Sequence, residues 1–410
     1  MQKPKQIVRI VIFLTLFLIF TPSTVSHGRF SATQTVADHN DAYWAALAKD
    51  EPAFIVDQSQ LLVASADDLD ELGQWSSVMA WPHIPVSAAN LPDGRLVTWA
   101  SSQTTSFPEN DPEFTYSSIW DPVNETFTDA NHSTHNMFCA HNVMLEDGTV
   151  FANGGRDTTE YVSTFDYQTG TWTQIESMDQ KRWYPTTVAL PSGQVFTALG
   201  DGATEHPEVW TPGSGWSEMS GVDLGHVLVS EHDLSMEWPF LAIAPDNSIF
   251  HAGPTPEMHS ISLVGDGALT HLGTLPDASW YAKDGTYVMF DEGKMLIVGG
   301  RNANSSIAST NKAMVVDING AEPVLTSTNS MAHARSHHSA VMMPNGEVFV
   351  VGGSGLIKKF SDAGSKLTPE IWNPDSGEWR EVASMVTPRN YHSVAILLAD
   401  GRILVGGGGL

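Results

Sequence analysis

From about residue 73 onward, short apolar runs come in pairs joined by tight polar turns. Gly94 follows Asp93, Gly148 follows Asp147, Gly193 follows Ser192, Gly293 follows Glu292, Gly346 follows Asn345 and Gly401 follows Asp400. Asp246 and Asn247 fill the one slot without a glycine, and the seven turns fall 45 to 55 residues apart. Asp-Gly and Asn-Gly between apolar runs predict β-hairpins, because such turns need a positive φ that glycine adopts without a Cβ clash. Each unit reads as an apolar strand, a turn, a second apolar strand ending in small residues, then two further short strands.

The second strands end in Gly154-Gly155, Gly299-Gly300, Gly352-Gly353 and Gly406-Gly407, with Gly200 and Gly253 as single-glycine versions. Fourth strands read Thr171-Trp172, Gly215-Trp216 and Glu378-Trp379. A unit near 50 residues with four short strands and a diglycine is the kelch type of propeller blade. One such sheet cannot bury both faces, so blades stack around an axis. The expected fold is therefore all-β, a seven-bladed kelch-type β-propeller over 73–410, one blade per turn. Gly73, Gln74 and Trp75 match a fourth strand without earlier ones, and pair naturally with the hairpin of Tyr391–Leu398 and Arg402–Gly406. The sequence reaches Leu410 before a third strand of that blade, so the last blade is expected to be incomplete, with an unpaired edge.

Upstream, Lys3, Lys5 and Arg9 precede an apolar run, Ile10–Phe20, and then the small residues around Ser23–Ser26. This pattern predicts a signal peptide over 1–26 and a secreted, extracellular or periplasmic protein; an uncleaved anchor is the alternative. Residues 27–72 carry no repeat and form a lead-in segment, with Asp41–Leu47 helix-permissive. No later run is long and apolar enough to span a membrane. The net charge is −27, and −30 once the three positive residues of 1–26 are removed. Nucleic acid and anionic membranes are disfavoured as partners. Asn124, Asn131 and Asn304 begin N-x-S/T sequons.

In a propeller the start of each innermost strand faces the axis. Cys139, Tyr184, Tyr281, His338, Tyr391 and His392 occupy roughly corresponding places in their repeats. Cys139 is the single cysteine of the chain, so in an oxidising compartment it is either a buried inert thiol or reserved for chemistry. Phenol oxygen and imidazole nitrogen suit tetragonal copper(II). His226, His232, His251, His333 and His337 read as surface or strand histidines.

The stretches Met137-Phe138-Cys139, Arg182-Trp183-Tyr184-Pro185-Thr186 and Tyr391-His392-Ser393, the last followed by Asp400-Gly401-Arg402 and Gly406–Leu410, resemble the catalytic propeller of the galactose oxidase and glyoxal oxidase family of radical-copper oxidases. Arg182-Trp183-Tyr184 lies closer to the glyoxal oxidase side. The resemblance implies a thioether joining Cys139 to Tyr184, with Tyr184 both copper ligand and one-electron store. It implies Tyr391 as the axial phenolate that takes the substrate proton and His392 as a nitrogen ligand. The catalytic set is then Cys139, Tyr184 and Tyr391, and the metal set Tyr184, Tyr391 and His392. The implied cofactors are a copper ion and the self-derived Cys139–Tyr184 radical. The implied substrates are dioxygen and a small aldehyde, primary alcohol or carbohydrate, oxidised with release of hydrogen peroxide by a monomer.

Some family features have no counterpart here. The family's second histidine ligand lies on a C-terminal β-domain beyond the propeller, which is not within 410 residues. The aromatic shield of galactose oxidase would fall near Gly202, and the galactose-side arginine is not evident around Leu234–Trp238, which disfavours galactose. His337, where a pocket aromatic is expected, is open to a substrate contact or a plain strand role. Repeats alone serve many functions, so a non-catalytic propeller binding carbohydrate or protein remains the alternative, as does a shortened chain inactive alone.

Overall fold

The computed structural model describes residues 9–14, 54–107, 112–156, 159–202, 206–225, 237–277, 280–302 and 307–408. Six four-stranded antiparallel sheets form the blades of a β-propeller. Blade 1 runs Ser87–Asn90, Leu96–Trp99, Ser117–Asp121 and Thr126–Asp129. Blade 2 starts at His141–Met144, blade 3 at Thr186–Ala189, blade 4 at Leu241–Ile243, blade 5 at Thr286–Asp291 and blade 6 at Ser336–Met342. Within each blade the four strands follow chain order, as the hairpin pattern predicted.

The expectation of seven blades is corrected to six. The seventh turn, Asp400-Gly401, closes a two-stranded hairpin, Ser393–Leu397 with Ile403–Gly407. Among the described residues no antiparallel third strand pairs with it. Its outer edge is met by Arg9–Leu14, which runs parallel, Ile10 opposite Ile403 and Ile12 opposite Val405. Gln74–Trp75 then pairs in parallel with Arg9–Ile10. A kelch blade returns its third strand antiparallel through a short connection, whereas this edge is filled by a remote segment running the other way. The edge expected to be open is thus paired, and Gln74–Trp75 does join the last sheet.

One side chain shows what the hairpin lacks. In blade 3 the buried Arg182 guanidinium donates to Glu208 on the third strand, Nη2 to Oε2 at 2.7 Å. In blade 6 the equivalent Arg335 donates to Glu370, Nη2 to Oε1 at 2.9 Å. The equivalent Arg389 donates Nη1 to the Gly407 carbonyl at 2.6 Å, but among the described residues its Nε and Nη2 meet no acceptor. Burial holds it down at about 10, only partly opposed by Asp362.

The hydrophobic core is divided among the seams between sheets. Phe250, Trp280 and Ile297 fill the seam of blades 4 and 5, and Leu296, Val350 and Trp372 that of blades 5 and 6. The hairpin contributes Ile403 and Val405 toward blade 6 and Leu398 and Leu404 toward blade 1, so it fills the remaining sector and closes the ring. Outer-strand tryptophans stitch each sheet to the one before: Trp216 Nε1 donates to the Glu176 carbonyl at 3.1 Å and Trp379 Nε1 to that of Asn329 at 2.7 Å. Trp75 does the same for the hairpin sheet, donating to the Ala383 carbonyl at 2.6 Å.

Of the expected signal peptide only 9–14 is described, as a strand; the rest of 1–26, and Asp41–Leu47, lie outside the described residues. The lead-in segment has a 3-10 turn, Gln58–Gln60, and a single helical turn, Leu69–Leu72. It is tied to the end of blade 6 by Ala383 N to the Leu72 carbonyl and Ser384 N to the Leu62 carbonyl. Among the described residues no helix is long and apolar enough to cross a membrane.

Candidate functional site

The diglycines explain how the blades deliver side chains to the axis. The N–H of Gly155 donates to the Arg182 carbonyl at 3.0 Å, that of Gly300 to Arg335 at 2.9 Å and that of Gly353 to Arg389 at 2.7 Å. Each diglycine therefore clamps the segment entering the next sheet. A Cβ at Gly352 would stand 2.2 Å from the Arg389 carbonyl oxygen, so only glycine permits the approach.

Just beyond the clamp the chain turns through a left-handed residue. Six non-glycine residues do so at the start of an innermost strand: Cys139 (φ 64°), Tyr184 (57°), Trp238 (53°), Asp284 (59°), His337 (55°) and His392 (62°). Each costs on the order of 1–2 kcal/mol outside glycine, and all six line one cavity of about 320 Å³ at the propeller mouth. This corrects the alignment read from sequence. In blade 5 the position belongs to Asp284, three residues after Tyr281, whose backbone pairs with Arg301 in a separate small ladder. In blade 6 it belongs to His337, while His338 sits beside Gly299.

Four of the predicted residues meet. Tyr184 Oη lies 2.6 Å from Tyr391 Oη and 3.3 Å from His392 Nε2, and Cys139 Sγ lies 3.7 Å from the same nitrogen. The Tyr184 N–H donates to the Cys139 carbonyl at 3.3 Å, so the two strand starts are also joined through the backbone. Cys139, Tyr184 and Tyr391 are buried. Two phenol oxygens and an imidazole nitrogen converging on one cavity form a donor set that fits a borderline redox ion such as copper(II). No group of three His, Cys, Asp or Glu gathers as a metal site among the described residues; the set here rests on tyrosines.

Aromatic rings enclose the cluster. Trp183 stacks on Tyr184 at 4.9 Å and 17°, and Trp238 packs on Tyr184 at 4.3 Å. The cover absent at Gly202 is thus supplied by the residue next to Tyr184. The Arg156 guanidinium lies over Trp183 at 5.6 Å and over Phe107 at 5.4 Å, and Phe107 stacks on Phe138. Lys359 Nζ sits 5.0 Å over the Tyr391 ring.

A charged group that the sequence pattern did not single out faces this cluster. Asp284 Oδ2 accepts from Arg301 Nε at 2.5 Å, and Asp284 Oδ1 lies 3.3 Å from His337 Nε2. Burial alone would raise the Asp284 carboxyl, but Arg301, His337 and Lys283 together hold it well below the usual range. The His337 ring lies 5.1 Å from the Tyr391 ring, so it is a cavity residue rather than a plain strand histidine. Of the other histidines, His251 is buried in blade 4 and His333 meets Glu381 at 2.7 Å, while His226 and His232 lie outside the described residues. The signal that could have found Asp284 and His337 was the nine-residue spacing to the following hairpin turn that they share with Cys139, Tyr184 and His392, not their residue type.

A Kelch motif profile matches residues 334–386. The chain is 28% identical over 358 residues to a galactose oxidase of Gibberella zeae, covering 83% of this chain and 52% of that protein. It is 23% identical to the aldehyde oxidase GLOX1 of Arabidopsis thaliana, covering 67% of this chain and 49% of the relative. The chain thus spans about half the length of these curated relatives. Among solved structures, a fungal alcohol oxidase of the AA5 family in complex with copper superposes with a TM-score of 0.78 at 27% identity, over 83% of this chain and 73% of that one. The chain is a kelch propeller similar to galactose oxidase and glyoxal oxidase.

Proposed function

We propose that this propeller is the catalytic part of a secreted copper-dependent radical oxidase of glyoxal or galactose oxidase type. It oxidises an aldehyde hydrate or primary alcohol with dioxygen. For an alcohol, RCH2OH and O2 give RCHO and H2O2, two electrons and two hydrogens passing to oxygen. The observation that carries this reading is the 2.6 Å approach of Tyr184 and Tyr391, with His392 and Cys139 against them.

Tyr184, Tyr391 and His392 would hold the metal. Copper, when bound, supplies a one-electron acceptor and returns electrons to dioxygen. Tyr391 Oη takes the proton of the substrate hydroxyl, a transfer that requires hydrogen-bond reach within a water-poor pocket. Oxidised Tyr184 would take the second electron together with the second proton, as one hydrogen atom from the substrate carbon. Joining Cys139 Sγ to the Tyr184 ring removes one hydrogen from each, both leaving with two electrons to dioxygen as hydrogen peroxide. A sulfur on the ring makes the phenol easier to oxidise, and Trp183 covers its face.

The test is peroxide release from glyoxal-type aldehydes and primary alcohols by the copper-loaded protein, with intact mass read in parallel. A mass lower by two hydrogens and peroxide release support the oxidase. Peroxide absent from all substrates, with no mass change, leaves the non-catalytic propeller.

A further inference from the structure

One cation bridges the two aromatic covers of the cluster. Arg156 follows the diglycine of blade 2, and its N–H donates to the Asn136 carbonyl at 3.2 Å. Its guanidinium carbon lies 5.6 Å from the centre of the Trp183 ring and 5.4 Å from that of Phe107. Trp183 in turn stacks on Tyr184, and Phe107 on Phe138, whose ring stands 5.0 Å from that of His392. The guanidinium is thus one ring removed from Tyr184, and Trp183 is the ring between them.

The Trp183 indole is not anchored as other tryptophans of this fold are. Trp99, Trp172 and Trp280 each donate Nε1 to an acceptor, at 3.3, 3.1 and 2.8 Å. Trp183 Nε1 is buried and meets no acceptor among the described residues. Paired hydrogen bonds with Asp201 at 2.9 and 2.7 Å fix its backbone, so the ring itself is set by stacking on Tyr184 and by the cation beside it. Both features bear on electron transfer. An indole that gives up an electron stays a cation unless Nε1 sheds its proton, and here no acceptor takes that proton. The positive ring would then lie against the positive guanidinium, and the attraction of a cation for an electron-rich ring would turn into repulsion.

We infer that Arg156 is a positioning residue that confines one-electron oxidation to Tyr184, by holding the Trp183 indole over the phenol and making that indole a poor electron donor. This rests on the oxidase reading for the existence of an oxidised Tyr184. Without the guanidinium charge, one electron passes from the indole to the oxidised phenol. Tyr184 returns to its reduced phenolate, Trp183 is left as the cation radical, and the oxidising equivalent sits on the wrong ring. With the charge in place, the stacked indole shields Tyr184 without draining it.

The probe is a one-electron oxidant, hexachloroiridate(IV), added to protein treated with copper and dioxygen and then stripped of metal, with EPR following the oxidised ring. Wild type is expected to give a tyrosyl signal. Arg156→Gln is expected to shorten its lifetime about tenfold, within the range that a cation over tryptophan is worth, and to bring up a tryptophanyl signal. Arg156→Lys keeps the charge and is expected to restore most of the lifetime. In a Trp183→Phe background, where the ring over Tyr184 resists the oxidant, Arg156→Gln is expected to change the lifetime by less than about twofold, since the effect runs through Trp183. In untreated protein labelled with 5-fluorotryptophan, Arg156→Gln is expected to move the Trp183 fluorine resonance. A wild-type lifetime in Arg156→Gln, an equal loss in the Trp183→Phe background, or an unmoved resonance overturns the inference. Absence of a tyrosyl signal from every protein refutes the oxidase reading instead, and the fluorine resonance still decides whether Arg156 holds the indole.

Discussion

Tyr184 and Tyr391 bring their phenol oxygens to 2.6 Å although 207 residues separate them along the chain. The contact depends on ring closure, since Tyr184 leads into blade 3 and Tyr391 into the hairpin between blades 6 and 1. Tyr391→Phe keeps the ring and removes only the oxygen. It is expected to lower kcat by about 10²–10⁴, as loss of a positioned proton acceptor does, and to weaken copper binding. Peroxide assays and metal titration check both.

Cys139 sits within the same buried cluster. Copper and dioxygen are expected to lower the intact mass of the wild type by two hydrogens, and to join the Cys139 and Tyr184 peptides. Cys139→Ala is expected to show neither change while retaining its fold. An unchanged wild-type mass counts against the thioether.

Trp183 covers Tyr184 at 4.9 Å. Trp183→Ala is expected to shorten the lifetime of the oxidised Tyr184 signal in EPR, because the ring face then opens to water. A lifetime equal to wild type assigns the cover elsewhere.

The Arg182–Glu208 pair is fully buried. Glu208→Ala leaves an uncompensated guanidinium and is expected to cost about 3–5 kcal/mol, measured by denaturant unfolding. Replacing both partners with Met and Leu is expected to cost less, because no buried charge remains.

His135 and His251 are held at about 3 and His83 at about 4, in each case chiefly by burial. Their folded values lie below the unfolded value near 6.5, so the unfolded chain binds more protons in the window between. Stability is therefore full above pH about 6.5 and falls as pH drops toward 3, by up to about 1.4 kcal/mol per pKa unit per group. Asp284, depressed as well, adds to the loss only below the usual carboxylate range. Thermal melts between pH 7 and 4 check the slope.

The repeat of turn glycine, diglycine and outer tryptophan determined by itself that the chain forms stacked four-stranded sheets, because hairpin geometry and side-chain period are local properties. It also determined that Cys139, Tyr184, Tyr391 and His392 start inner strands, since the motifs stand at a constant distance from the turns. Turn counting could not determine the number of blades. A turn specifies two strands, and whether a third and fourth join them depends on pairing with remote segments, here Arg9–Leu14 and Gln74–Trp75. Which residue of each repeat takes the left-handed conformation was also decided in three dimensions, and His338 lines the same cavity beside His337. A shift of one residue along a strand reverses the direction of its side chain, so His337 rather than His338, and Asp284 rather than Tyr281, came to occupy the left-handed slot. The hairpin of blade 5 sets Arg301 behind Asp284, and only the closed ring brings Tyr391 before His337, so that the two residues share one wall of the cavity.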